Sequence, residues 1–179
     1  MNESVIIVSS QIDAAFLEKF LFVIKEKIAD DCTKIHMLIQ SKGGSVPIAL
    51  AIGRLLNNLS VPAITYNMGN VDSAAVMIFA GGQKRFCFPQ SSFGLHPLVQ
   101  EVVGVKTSED LKIILNEIET DTSRVVGFLA EQSMISSNEW RTRMNAQQRL
   151  SAEGAVEIGL ATSILTEYPK IVKGCWDII

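Results

Sequence analysis

Histidine is scarce in this chain, with two in 179 residues, His36 and His96. Any imidazole chemistry therefore runs through one of two positions. Cysteine is scarce too. Cys32, Cys87 and Cys175 are too few and too scattered for a disulfide framework, and none sits in a CxxC pair, which argues against a zinc knuckle. No Lys/Arg-rich run occurs, and no aromatic pairs are spaced as base-stacking platforms. With a formal charge of −3 and a pI near 5.4, no nucleic-acid partner is expected. The most apolar helical stretch, "VPIALAIGRLL", is interrupted by Arg54, so no membrane span is expected. The opening "MNESVIIVSSQID" has no basic n-region, and a reduced, cytoplasmic setting is the simple expectation. Internal repeats and low-complexity linkers are missing, which leaves one domain over 1–179. Two phosphate and acyl-transfer signatures are absent as well: the P-loop pattern GxxxxGK[ST] and the GxSxG elbow.

What is present is a regular alternation. "SVIIVSS" reads as a buried strand. "IDAAFLEKFLFVIKEKIADD" carries Phe16, Phe20, Val23, Ile24 and Ile28 at helical spacing. "KIHMLIQ" (34–40) is a second strand, "SKGGS" (41–45) a turn, "VPIALAIGRLLNNL" a helix and "PAITYN" (62–67) a third strand. "DSAAVMIFAGG" then reads as a helix, with "KRFCFP" and "SSFGLHP" as strands. This order predicts an α/β fold with a mostly parallel sheet and right-handed crossovers. A long helix follows over about 107–134, with Thr107 or Ser108 as its N-cap and Glu109 and Asp110 in its first turn. A short helix starts at Ser136 or Ser137, another at Ser151, and "ATSILTE" closes as a strand. The tail 167–179 is apolar, with Trp176 near its end. Phe79, Met77, Ile78 and Trp140 read as core or packing residues, and Cys87 as an inert buried thiol.

Ser73 sits among small residues at a strand-to-helix transition. Its bland reading is an N-cap. Its catalytic reading is a nucleophile, which needs a base and oxyanion donors. His36 lies within an apolar strand and reads as structural. His96 ends a strand and precedes Pro97, where the chain leaves the sheet, which makes it the better base. The "SKGGS" turn offers the Gly44 and Ser45 amides at a helix start as donors.

"IQSKGGSV", "NMGNVDSAAVMIFAGGQKRFCFPQSSFGLHP" and "QRLSAEGAVEIGLATSIL", in that order, resemble the proteolytic subunit of the Clp protease, a serine peptidase. The resemblance implies a Clp/crotonase-type fold of stacked βαβ units, with the long helix as a projecting handle. It places Ser73 on the nucleophile, His96 on the base, and Gly44 and Ala74 on the oxyanion donors. The family's aspartate position falls on Gln147, which carries no charge. Gln147 or Asn145 would then orient the ring, or a carboxylate elsewhere would, such as the neighbouring Asp72. Lys42 stands where the family usually has proline, and Ala74 where it has a bulkier residue. The resemblance also implies homo-oligomeric rings and peptide or unfolded-protein substrates, with no metal or organic cofactor. An ATPase unfoldase is left open, because the sequence opens almost at its first strand and counterparts of the family's N-terminal axial loops are not expected. Two alternatives stand beside the peptidase: a non-catalytic paralogue acting as a ring scaffold, favoured by Gln147, and a crotonase-type acyl-CoA enzyme.

Overall fold

The computed structural model describes residues 2–167 and 176–179. β1 (Glu3–Val8), β2 (Lys34–Ser41) and β3 (Ala63–Asp72) pair in parallel, joined by α1 (Ala14–Ala29) and α2 (Val46–Asn58). Each crossover helix forms for a local reason. In α1 the Asp13 side chain accepts from the Phe16 amide, and Phe16, Phe20, Val23 and Ile24 form the buried stripe. In α2 a proline lies in the first turn, and Ala49, Leu50, Ile52, Gly53 and Leu56 face inward.

β3 is longer than the sequence pattern suggested. "NMGNVD" looks like a turn, yet the strand runs on to Asp72. Its first half pairs with β4 (Lys84–Cys87) and its second half with β5 (Ser92–Gly94), both in parallel. Asn67 bridges the change of partner: its Nδ2 donates to the Ser92 carbonyl at 2.9 Å, and its Oδ1 accepts from Gly69 N at 3.0 Å. The helix expected from Asp72 onward shrinks to α3 (Ala75–Ala80), which is wholly buried. Phe79 of α3 meets Phe93 of β5 edge-on at 4.8 Å, a contact worth roughly 0.5–1.5 kcal/mol beyond burial. α3 also crosses α2 at Gly53 and Gly81, where a Cβ on either would run into the other segment's backbone.

α4 (Ser108–Glu131) is the expected long helix, capped by Thr107 in a reciprocal capping box with Asp110. Its buried residues begin only at Thr122, so its first turns stand away from the core. α5 (Ser137–Asn145) is capped by Ser136, and α6 (Ala152–Glu157) by Ser151. Between them lies β6 (Arg149–Ser151), absent from the sequence reading and antiparallel to β5. The closing strand is short, β7 (Ser163–Ile164), paired with β4. The sheet order is β6-β5-β3-β2-β1-β8, with β4 and β7 off that path.

Residues 168–175 of the apolar tail, including Cys175, lie outside the described residues. The tail's end is β8 (Trp176–Ile178), which adds to β1 in parallel. Asp177 meets Lys27 of α1 at 2.8 Å, and Ile179 is buried. Trp140 is fully buried, with its indole N–H on Ser133 Oγ at 2.9 Å. His36 is satisfied by the Tyr66 hydroxyl at 2.8 Å and Glu3 at 3.1 Å, as a structural histidine should be. Burial pushes the Cys87 thiol up to about 12, consistent with an inert thiol.

Candidate active site

Three segments converge at the ends of β2, β3 and β5. The first is the glycine turn after β2. Gly43 has φ +93 and Gly44 φ +149, both in the left-handed half of backbone space that glycine enters freely. A Cβ on Gly43 would lie 2.7 Å from the Asp72 carbonyl oxygen and 2.8 Å from both Ala74 N and Ser73 Cβ. The turn can therefore approach the serine segment this closely only as glycine. Ile12 straps it from the other side: Ile12 N donates to Gly43 O at 3.0 Å, and Ser45 N to Ile12 O at 2.7 Å. The Ser45 amide, one of two donors expected from the sequence, is thus already used. The Gly44 amide has no acceptor among the described residues.

The second segment is the corner between β3 and α3. Ser73 has φ +53 and is not an N-cap. The capping position of α3 falls on Ala74, and no side chain caps the helix. A non-glycine residue in this region is strained by about 1 kcal/mol or more, and neighbours hold it there. Its amide donates to the Gly94 carbonyl at 2.7 Å and its carbonyl accepts from Val76 N at 3.0 Å. The Ala74 amide, like that of Gly44, has no acceptor among the described residues.

The third segment leaves β5. His96 Nδ1 lies 2.7 Å from the Pro97 carbonyl oxygen. A carbonyl only accepts, so Nδ1 carries the proton and Nε2 is left as the acceptor. That is the tautomer a general base requires. No hydrogen bond joins His96 to Ser73 Oγ among the described residues, yet both line one cavity of about 520 Å³. The cavity's opposite wall is the projecting part of α4, including Asn116, Glu117, Thr120 and Asp121. A nearly filled apolar recess opens beside the pair, lined by Ala74, Met77, Leu95, Val125, Leu129 and Met144.

In this structure neither Gln147 nor Asn145 makes a hydrogen bond to His96. Gln147 is exposed, with φ +50, and its side chain makes no hydrogen bond among the described residues. Asn145, at the end of α5, is likewise exposed and without one. The Nδ1–H that either would accept is held by Pro97 instead. Asp72 is engaged elsewhere: its Oδ1 accepts from Arg149 Nη2 at 2.9 Å, and the same nitrogen reaches Ser92 Oγ at 2.9 Å and Asn70 Oδ1 at 3.3 Å. Arg149 thus ties β3, β5 and β6 together next to the serine corner. Sequence reasoning passed over it, because a pair 77 positions apart leaves no local signal.

A Clp protease family model matches residues 1–168. The chain belongs to the Clp protease family. Membership carries the class of hydrolase and peptidase and confirms the recognised resemblance. Among the relatives of this Clp-family chain is an ATP-dependent Clp protease proteolytic subunit 2 of Treponema pallidum, 28% identical over 78% of this chain and 70% of that one. An ATP-dependent Clp protease proteolytic subunit of Leuconostoc citreum is 25% identical over 93% of this chain and 85% of that one. Among solved structures, a point mutant of ClpP1 from Listeria monocytogenes superposes with a TM-score of 0.78 over 92% of both chains, at 20% identity. That likeness confirms the Clp-type α/β fold. No helix among the described residues is long and apolar enough to cross a membrane.

Proposed function

We propose that this Clp-family chain is a serine endopeptidase that cleaves peptide bonds through an acyl-enzyme on Ser73. His96 Nε2 takes the Ser73 proton as the hydroxyl attacks the scissile carbonyl, and later returns it to the leaving amine. The Gly44 and Ala74 amides receive the oxyanion. The observation that carries this reading is the convergence of Ser73 and His96 on one cavity, with the imidazole held in the base tautomer. The Pro97 carbonyl orients the ring in place of a triad acid. It fixes the tautomer but brings no full negative charge to the imidazolium, so turnover is slower than with a carboxylate, by up to about 10⁴-fold. The surface beside the pair is apolar, lined by Met77, Leu95 and Met144, and the recess there is too nearly filled to hold a substrate side chain without repacking. The enzyme works as homo-oligomeric rings on peptide or unfolded-protein substrates, in the cytoplasm.

A second reading, a catalytically silent ring scaffold, draws support from the missing Ser73–His96 hydrogen bond and from the uncharged partner of His96. Intact-mass analysis after fluorophosphonate treatment separates the two. The peptidase reading expects one adduct, lost in both Ser73→Ala and His96→Ala. A folded, assembled protein that takes up no adduct supports the scaffold. The crotonase-type alternative predicts CoA-thioester binding and gains no support from the Ser73 and His96 placement.

A further inference from the structure

We infer that Glu117 makes the substrate cleft selective for peptides carrying a Lys or Arg a short distance from the scissile bond. The inference rests on the reading of Ser73 and His96 as the catalytic pair and adds a substrate class to it. The cavity that holds this pair has two carboxylates in its wall, Glu117 and Asp121, and no Lys or Arg. Asp121 is already matched by Arg124 at 2.8 Å. Glu117 is exposed and has no ion pair among the described residues. The nearby charges do not cancel it. In the adjoining recess, which Glu117 also lines, the Asp110 carboxylate is held by the Thr107 amide and hydroxyl, each at 2.8 Å. Lys106 and Glu101 there are opposite in sign, and neither forms an ion pair among the described residues. The four carboxylates of cleft and recess face two cations, Arg124 and Lys106, so an extended peptide meets net negative charge, with Glu117 the unpaired carboxylate in the cleft wall. On the serine side the lining is apolar and carries no charged side chain other than His96 when protonated. A cation further along the peptide gains a rim-strength attraction, and an anion there meets an equal repulsion.

The test is a positional scan with quenched fluorescent peptides. They share one apolar residue at the scissile bond and carry Lys, Leu or Glu at each neighbouring position in turn. At one position the wild type should prefer Lys over Glu in kcat/KM by roughly ten-fold. That ratio should fall several-fold in Glu117→Gln and shrink between about 0.15 M and about 1 M salt. Glu109→Gln, which removes a carboxylate from the same helix outside the cleft, should leave the ratio as it was. Equal use of Lys and Glu at every position would overturn the inference, as would a preference undiminished in Glu117→Gln. The same peptides bound to Ser73→Ala, read by fluorescence anisotropy, report the charge preference without turnover. If peptides are bound with Lys preferred but are not cleaved by the wild type, the catalytic reading fails and the selectivity stands. If they are cleaved or bound without regard to charge, the selectivity fails alone.

Discussion

Replacing Gly43 by alanine gives a worked test of the site's geometry. The substitution imposes two separable costs. An L-residue at φ +93 is strained by roughly 1–2 kcal/mol. The added Cβ also sits within 3.0 Å of three atoms, Asp72 O, Ala74 N and Ser73 Cβ, none of them the far end of a flexible side chain. Overpacking against a fixed neighbour costs about 1–3 kcal/mol. If the fold absorbs both, stability falls by about 2–5 kcal/mol, and a typical slope of about 2 kcal/mol per molar urea moves the midpoint down by 1 M or more. If instead the corner yields, Ser73 and the Ala74 amide shift and fluorophosphonate labelling slows. Gly104→Ala isolates the first cost, because Gly104 has φ +78 and nothing within 4 Å of its Cβ. That variant should lose about 1 kcal/mol and label at the wild-type rate. A Gly43→Ala protein matching wild type in both urea midpoint and labelling rate would refute the close approach of the glycine turn to the serine corner.

Three further outcomes are expected. Met144→Ala opens the apolar recess beside Ser73, so cleavage should shift toward peptides with bulkier apolar residues at the scissile bond, with about 2–5 kcal/mol of stability lost; unchanged selectivity would remove the recess from substrate binding. Arg149→Met severs the tie to Asp72, Asn70 and Ser92. Because the ion pair is well exposed, less than about 1 kcal/mol of stability should go, while labelling of Ser73 slows through the loosened β3–β5 corner; an unaltered labelling rate counts against that positioning role. Burial, then the Glu3 charge, raises the Tyr66 phenol to about 12, above its usual 10. The fold holds that proton more tightly than the unfolded chain, so its contribution is complete below pH 10 and is lost as pH rises toward 12. Ultraviolet titration should show a late phenol that disappears in Tyr66→Phe, and a single titration near pH 10 would contradict the buried setting.

The alternation of β-branched runs with amphipathic stretches made the crossover helices and the parallel sheet readable, since burial on both sheet faces and on one helix stripe writes itself into residue order. Ser73 and His96 could be named because small residues and a strand-ending His-Pro mark places where chain and sheet part. The rest depends on partners distant in sequence. "NMGN" carries turn residues, and only pairing to β5 makes it strand. The left-handed conformation of Ser73 is imposed by neighbours and has no compositional mark. The Pro97 carbonyl is backbone, so no side-chain pattern could announce it as the group facing His96. Gln147 is the position the family resemblance gives for the triad aspartate. In the fold, the turn at its φ of +50 leaves it in solvent. β8 needs β1 to exist at all.

The long helix α4 has one anchored half and one that is cantilevered. Its buried residues start at Thr122, so the segment from Ser108 to Asp121 extends for about 20 Å with little of its own core beneath it. Asn116, Glu117, Thr120 and Asp121, the far wall of the cleft, all sit on that span, which Arg141 of α5 ties down at Glu119. The near wall, made of the glycine turn and the serine corner, is clamped by backbone hydrogen bonds on both sides. The two walls of the cleft thus differ in how they are held, one by backbone hydrogen bonds on both sides, the other by a helix rooted in the core through its C-terminal half and tied at Glu119 by one exposed ion pair.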